Sequence, residues 1–447
     1  ITSRAPHLCT FRTTQQTEVP PFMASRSHFE PSHTVLRLVP SPSATPLQPL
    51  DSLQLYVNTN PEQAAAITLL LTEHTQSVTI IVDGKCVATV PGSQLIVPLN
   101  LQPLNFRPGC FPEPIRLLQQ YAAFPESFNF VRLHGLRSIL AGTNTSAELH
   151  FNHSTPVPKD VLRCCDFLRT GCSPVVNLYH VAAQPLALDQ WRSEYRVRTS
   201  TKPGAPEIFE LLEMTTRRPG SPTSTAYQST SSPIPTTQNH LPRFYTTYWA
   251  ESRSGGPHEL VLRLPSDSEI EPGETASMSV LCQDSGAVLE HLQPGDICQH
   301  GPTTPASLAF QSIGRLSQRL TPKDLPELYA DLHTWHALRN QATPSVGRIQ
   351  KLIELVVPQT RRAIQLSTSV RRLSLAATDR YAAGRLERAL VCDLELDAPQ
   401  LGGPGRAWLF ANVLRQLLRE DIPLDVPFDL QLSLYPQSMK TYKLSDS

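Results

Sequence analysis

Residues 52–90 read SLQLYVNTNPEQAAAITLLLTEHTQSVTIIVDGKCVATV, and this stretch decides the class of fold. Leu53, Leu55 and Val57 alternate with Gln54 and Tyr56, the period of two that gives a strand one apolar face. Asn60 then offers a side-chain acceptor to a helix start. Pro61 suits the first helical turn, where its missing N–H would be unbonded anyway, and Gln63 completes a capping-box-like beginning. The predicted helix runs through Ala64, Ile67, Leu70 and Leu71. Two β-rich runs, Val78–Val82 and Lys85–Val90, flank Asp83-Gly84, a dipeptide that accepts the positive φ angles of a tight hairpin. Strand, helix and hairpin in succession make an α+β unit.

Working outward, Ile115, Leu118 and Tyr121/Ala122 have helical spacing, and Pro125 forces Phe124 out of the α region and ends that helix. A strand follows, predicted with Phe128 and Phe130 on one face and Val131 and Leu133 on the other, hence buried on both sides. From Thr215 to Asn239, 16 of 25 residues are Ser, Thr or Pro, too few apolar groups to offset chain entropy, which predicts a mobile loop or linker. Leu308–Ala337 leans helical but is broken by Pro322 and Pro326. Ala389–Leu396 alternates as a strand. Gly402-Gly403-Pro404 opens a helix with an apolar stripe at Ala407, Phe410, Ala411, Leu414, Leu417 and Leu418. Ile422-Pro423 ends it, and Phe428, Leu430, Leu432 and Leu434 form one face of a closing strand. The expected fold is α+β and multidomain, β-rich, with helices flanking several mixed or antiparallel sheets. The expected segments are an α+β domain over 1–135 and a β-rich middle domain over 136–300 containing the loop 215–239. A helical connection over 301–345 and a C-terminal α+β domain over 346–447 complete the division.

Composition narrows the function classes. A chain of 447 residues has room for about three domains and needs no disulfide staple. Its 42 prolines amount to about 9% against an average of about 5%, which implies many turns and extended segments. Charged residues are 17%, and 39 basic side chains cancel 39 acidic ones. That balance argues against nucleic-acid binding by bulk charge and against a polybasic membrane anchor, and weak self-repulsion suits a subunit of something larger. The longest apolar run, Ala64–Leu71, is interrupted by Thr68 and is far short of the ~20 residues of a membrane span. The chain begins at Ile1 without a charged-then-apolar segment, and residues upstream are expected to be missing. Nine cysteines, none in a CxxC pair, suit a reducing, cytoplasmic compartment.

No Walker loop, dinucleotide fingerprint, nucleophile elbow or HExxH motif occurs. His150/His153 and His333/His336 lack the further ligands that zinc needs, and Cys164, Cys165 and Cys172 read as buried apolar thiols. Asp393, Glu395 and Asp397 share one strand face, as a glycosidase pair would, but any solvated strand face shows the same spacing. Arg361-Arg362 and Arg371-Arg372 could meet an acidic partner. No metal, cofactor or catalytic residue is expected.

The sharper signal is Arg116–Phe130, RLLQQYAAFPESFNF, a helix–Pro–strand corner anchored by Leu118, Tyr121, Phe124, Pro125, Phe128 and Phe130. It resembles the most recognisable stretch of the TssF family, the baseplate subunit of type VI secretion. Cys172–Tyr179, CSPVVNLY, with Pro174, Val176, Asn177 and Leu178, is similar to a second segment of that family, and Gln184–Asp189 to its continuation. Ser279–Cys282 and the helix around Trp408–Leu418 follow in the same order.

The resemblance implies a phage-baseplate-wedge-like architecture and a structural, non-enzymatic role. It implies pairing with a second TssF within a wedge and contact with TssG, TssK, TssE and the spike protein VgrG. The sheath, inner tube and membrane complex would be further neighbours, and the place of assembly the cytoplasmic face of the bacterial inner membrane. Neither nucleic acid nor membrane insertion belongs to that role. Two other readings fit the residues less fully: a β-rich carbohydrate-active enzyme or glycan-binding module resting on the Asp393–Asp397 face, and a baseplate protein of a phage or another contractile injection system.

Overall fold

The computed structural model describes residues 2–3, 8–15, 19–41, 51–97, 101, 103, 113–140, 145–200, 206–230, 243–251, 259–265, 270–301, 304, 308–317, 345–357, 361–382, 385–420, 422–423, 425–436 and 441–445. Contacts divide the chain into two compact units, both discontinuous in sequence. The smaller takes residues 1–14, 108–110 and 175–332; the larger takes 15–107, 111–174 and 333–447. The division read from the sequence is linear along the chain, whereas the larger unit joins residues from the segments 1–135 and 346–447.

In the larger unit the opening strand–helix–hairpin forms as the local residues dictate. The Pro61–Glu73 helix is capped by Asn60, whose Oδ1 accepts from the Gln63 N–H at 2.9 Å. Thr75–Val82 and Lys85–Pro91 pair antiparallel around Asp83 and Gly84, at φ 50° and 74°. That hairpin belongs to a five-stranded antiparallel sheet, in which Ala147–His153 lies between Thr75–Val82 and the Phe22–Phe29/His33–Pro40 pair. Ser52–Val57 is the middle of a three-stranded sheet with Phe130–His134 and Leu168–Thr170.

The Pro61–Glu73 helix is buried on more than the single face its Ile67–Leu70–Leu71 spacing marks. Ala64, Ile67, Leu70 and Leu71 enter one core with Leu53, Leu55, Ile80 and Phe151. Ala65 and Leu69 enter a second core with Tyr121, Trp408 and Phe410. An AAAITLLL helix, apolar nearly all round, is what a position between two cores requires.

The second core continues into a four-stranded sheet, ordered Val370–Ala382, Arg385–Asp397, Phe428–Tyr435, Thr441–Ser445. Its two middle strands run parallel, Leu394 opposite Leu432. A parallel pair needs a crossover, which the Pro404–Arg419 helix supplies, its stripe from Ala407 to Leu418 buried. This helix passes so close to Pro61–Glu73 that a Cβ added at Gly405 would lie 2.3 Å from the carbonyl carbon of Ala65.

The strand expected after Pro125 starts later and is buried on one face. After Pro125 the chain makes a 3-10 turn, Pro125–Phe128, and the strand starts only at Phe130. Phe128 therefore joins the Tyr121 core while Val131 and Leu133 join the other, and Arg132 and His134 are exposed, so the strand is buried on one face. The helical connection expected over 301–345 has neither helix nor strand over 308–317, and its residues 318–344, with His333, Trp335 and His336, lie outside the described residues.

The smaller unit is built on an eight-stranded sheet. Thr275–Gln283 lies between Tyr179–Ala182 and Glu207–Arg217; Ser224–Ser229, Arg243–Ala250, Glu259–Arg263 and Glu194–Arg196 follow. The Gln184 N–H donates to the Arg198 carbonyl at 2.7 Å, joining segments next to the sheet's first and last strands, and Met214, Leu262 and Val280 lie in the unit's core. The Ser/Thr/Pro stretch expected as a loop supplies strand residues instead. Thr215–Arg217 end one strand, and Ser224–Ser229 form another, antiparallel to Glu207–Arg217 and parallel to Arg243–Ala250. Its residues Ser224–Tyr227 pair with the first of these strands and Tyr227–Ser229 with the second, and Tyr227 supplies the buried side chain. Residues 231–239 lie outside the described residues.

Candidate functional site

The corner of the larger unit is a packing joint. Leu118, Tyr121, Pro125 and Phe128 are buried, while Phe124 and Phe130 are half-buried. Phe124 leaves the helix at φ −145°, and its carbonyl accepts from the Ser127 hydroxyl at 2.6 Å. Tyr121 stacks on Phe410 with ring centroids 5.5 Å apart, touches the Phe128 ring at 5.9 Å, and lies under the Arg362 guanidinium. Its hydroxyl donates to the Arg406 carbonyl at 2.9 Å. Burial pushes the Tyr121 phenol up to about 12, against the pull of Arg362 and Arg406, so it stays protonated and serves as a donor. Phe130 tilts against Tyr56 at 4.9 Å.

The second motif spans the point where the chain passes between units, Pro174 in the larger and Val176, Asn177 and Leu178 in the smaller. Val176 pairs with Arg12 and Leu178 is buried. Asn177 clips three segments together: its amide donates to the Thr10 carbonyl (2.9 Å) and to Asp284 Oδ2 (2.7 Å), and its Oδ1 accepts from the Asp284 N–H (2.7 Å). The Tyr179 hydroxyl donates to Asp284 Oδ1 at 2.7 Å, and the Thr10 N–H reaches Oδ2 at 3.2 Å. Burial and the adjacent carboxylate both raise the Tyr179 phenol. Asp284 is the residue that sequence reading missed; its only local signal is its place between a strand end and Ser285-Gly286.

Several of the remaining candidates have partners within the fold. Cys392, Leu394 and Leu396 are buried, and the carboxylates lie on the opposite face. Asp393 accepts from Ser374, while Asp397 caps the Ala398–Leu401 helix and pairs with Arg371 at 3.1 Å. Arg371 also lies over the Tyr435 ring, and Arg362 lies over Tyr121. The Cys164–Cys165–Cys172 group is not the buried set expected: Cys165 is exposed and the other two half-buried, because the chain there runs through turns. Burial pushes Cys9 and Cys172 up to about 11 and Cys282 and Cys392 up to about 12, leaving these four thiols protonated and poorly nucleophilic. His150 stacks on His33 at 5.3 Å, and His153 Nε2 lies 2.7 Å from the Thr34 hydroxyl. Among the described residues, no group of three or more His, Cys, Asp or Glu side chains could hold a metal ion. No helix among them is long and apolar enough to cross a membrane.

The fold is shared with a chain of a type VI secretion baseplate subcomplex. The whole of this chain superposes on 85% of a chain in the cryo-electron microscopy structure of the type VI secretion TssK-TssF-TssG baseplate subcomplex, with a TM-score of 0.79 at 19% identity. A second similar chain, from the baseplate complex of the type VI secretion system, matches 67% of this chain and 53% of its own length, with a TM-score of 0.46 at 17% identity. Curated proteins offer no match. The family model of type VI secretion system TssF matches residues 2–434, and the chain belongs to that family.

Proposed function

We propose that this chain is a wedge scaffold of the type VI secretion baseplate, binding TssG- and TssK-like subunits through broad, permanent surfaces. The observation that carries the reading is the full-length likeness, at a TM-score of 0.79, to a chain from a TssK-TssF-TssG subcomplex. Two compact units, the larger with Leu118, Tyr121 and Phe128 in its core, suit such a role. Obligate interfaces of more than ~2,000 Å² depend on shaped, largely uncharged surface rather than on activated side chains. Pairing with a second TssF, contact with TssE and the VgrG spike, and attachment to sheath and membrane complex at the cytoplasmic face of the inner membrane extend the same reading.

The experiment is co-expression with the TssG- and TssK-like subunits of the same organism, followed by affinity purification and mass measurement. A stable complex containing all three supports the reading. A chain that elutes as a lone monomer from that mixture removes it.

A further inference from the structure

Among the described residues the larger unit holds three sheets with six outer strands, and five of these are guarded or covered along their outer edge. Thr441–Ser445 carries the exposed Lys443. Lys85–Pro91 begins with lysine, ends with proline and has an extra residue, Val87, in its register. Lysine, proline and bulges keep a row of open N–H and C=O groups from pairing with another chain. Phe22–Phe29 and Leu168–Thr170 are fastened to each other: the Ala24 N–H donates to Thr170 Oγ1 at 3.1 Å, and the Leu168 N–H to Ser27 Oγ at 3.0 Å. Phe130–His134 is met by residues 96 and 97, the Val97 N–H donating to the Arg132 carbonyl at 2.9 Å.

The sixth is Val370–Ala382. It pairs on one side with Arg385–Asp397, and among the described residues no strand pairs with its other side. A bulge at Arg371 opens it, and from Arg372 onward its register is regular. Residues 373–378, LSLAAT, carry neither charge nor proline, and Ala376, Ala377 and Thr378 are exposed. Leu373 and Leu375 pack on the core opposite Leu394 and Cys392, while Arg372 and Ser374 lie on the other face opposite Glu395 and Asp393.

The pattern along this edge is self-complementary. Two copies of one strand, antiparallel about a two-fold axis, must set one residue opposite itself. With the axis at Leu375, Leu373 meets Ala377 of the second copy on the core face, while Ser374 meets Ala376 and Arg372 meets Thr378 on the other. Apolar side chains then face apolar ones, and no like charges stand opposite, over the whole run 372–378. An axis at Ala376 would set Arg372 against Arg380 and Leu373 against Asp379. An axis at Ser374 would reach the bulge at Arg371 from both ends and leave only residues 372–376 in the ladder.

We infer that the Val370–Ala382 edge joins the same edge of a second copy of this chain, antiparallel about a two-fold axis at Leu375, so that two four-stranded sheets become one of eight strands. The inference rests on the wedge reading and gives its pairing of two copies a contact. A ladder of this length, about 23 Å, buries less than the ~1,200 Å² of a self-sufficient interface, so the contact belongs to the assembled complex rather than to the free chain.

The test uses two differently tagged full chains, one with Ser374→Cys and one with Ala376→Cys, co-expressed with the TssG- and TssK-like subunits. Opposite residues of an antiparallel pair have Cα atoms about 4.5–5.5 Å apart, within the span of a disulfide. Diamide oxidation of the purified complex should therefore link the two tags. Either variant alone should give no linked dimer, because like positions then lie about 8 Å apart. Thr378→Arg added to both chains sets guanidiniums opposite each other at two places and should cut the linked yield about five-fold; Thr378→Glu should raise it. An intact complex without linked tags, equal linkage in the single-variant preparations, or a yield indifferent to Thr378→Arg would each overturn the inference and leave the baseplate reading standing. Failure of the wild-type chain to enter any complex would remove both.

Discussion

The Tyr121 hydroxyl donates to the backbone carbonyl of Arg406, 2.9 Å away in space and 285 positions later in sequence. This bond fastens the Glu113–Ala123 helix to the first turns of Pro404–Arg419, and the ring stacks on Phe410 from the same helix. Tyr121→Phe should cost about 1 kcal/mol, the net worth of one hydrogen bond, while Tyr121→Ala should cost about 3–5 kcal/mol through the cavity it leaves. Urea denaturation of the two variants separates the parts. Equal losses would mean that the ring contributes nothing beyond its hydroxyl.

Gly405 is a contact of backbone with backbone. A Cβ there would lie 2.4 Å from the Ala65 oxygen and the Ala66 nitrogen, and neither helix can yield without opening a core on one side. Gly405→Ala should destabilise by about 2 kcal/mol or more. Gly347, in the Val346–Val356 helix, has nothing within 4 Å of an added Cβ, and Gly347→Ala should stabilise by about 0.4–1 kcal/mol. Opposite shifts in unfolding midpoint are the expected result.

His153 provides a pH signature. Burial, then the charges of His74 and His33, lower its imidazole from 6.5 to about 4. Its contribution to stability is whole above pH 6.5. As pH falls from there towards 4 the unfolded state takes up the proton first, and stability is lost. His33 is lowered in the same direction, by burial and then by His150. His153→Gln should unfold at a midpoint less dependent on pH between 7 and 5 than the wild-type chain. Parallel pH profiles for the two would remove His153 as the source.

Asp284 gathers three donors, from Asn177, Tyr179 and Thr10. Asp284→Ala leaves Tyr179 and Asn177 short of partners and should cost about 2–3 kcal/mol. The loss should appear locally, as faster hydrogen exchange or proteolysis near residues 8–14. Uniform protection across the smaller unit would contradict this.

Asp393, Glu395 and Asp397 separate by role. Asp397→Ala loses a helix cap and the Arg371 pair and should cost about 1 kcal/mol; Asp393→Ala, at an exposed site, should cost little. A glycan-turnover assay in which Asp393→Asn or Glu395→Gln abolishes activity would instead restore the carbohydrate-enzyme reading.

Elements fixed by neighbours in sequence were legible there. Asn60 with Pro61 starts a helix, Asp83-Gly84 turns a hairpin and Pro125 stops a helix, each by a preference exercised within a few residues. The motif around Tyr121 and Asn177 was legible as a family pattern, but its use was not. Asn177 has meaning only once Asp284, 107 positions away, is beside it. The strand Ser224–Ser229 escaped because its stability comes from partners at both edges rather than from its own apolar content.

The sequence by itself determined the α+β class, the capped helix and hairpin near the start, and the strand–helix–strand order near the end, because short-range sterics and apolar period need no distant partner. Only the tertiary structure decided that the Pro61–Glu73 helix lies between two cores, that Gly405 meets Ala65, and that Arg385–Asp397 and Phe428–Tyr435 run parallel. It alone left Ala376 and Thr378 exposed on a strand edge that no described strand pairs. The reason is physical: burial and exposure depend on which distant surface arrives to cover a side chain, and the pattern of its neighbours along the chain does not carry that information.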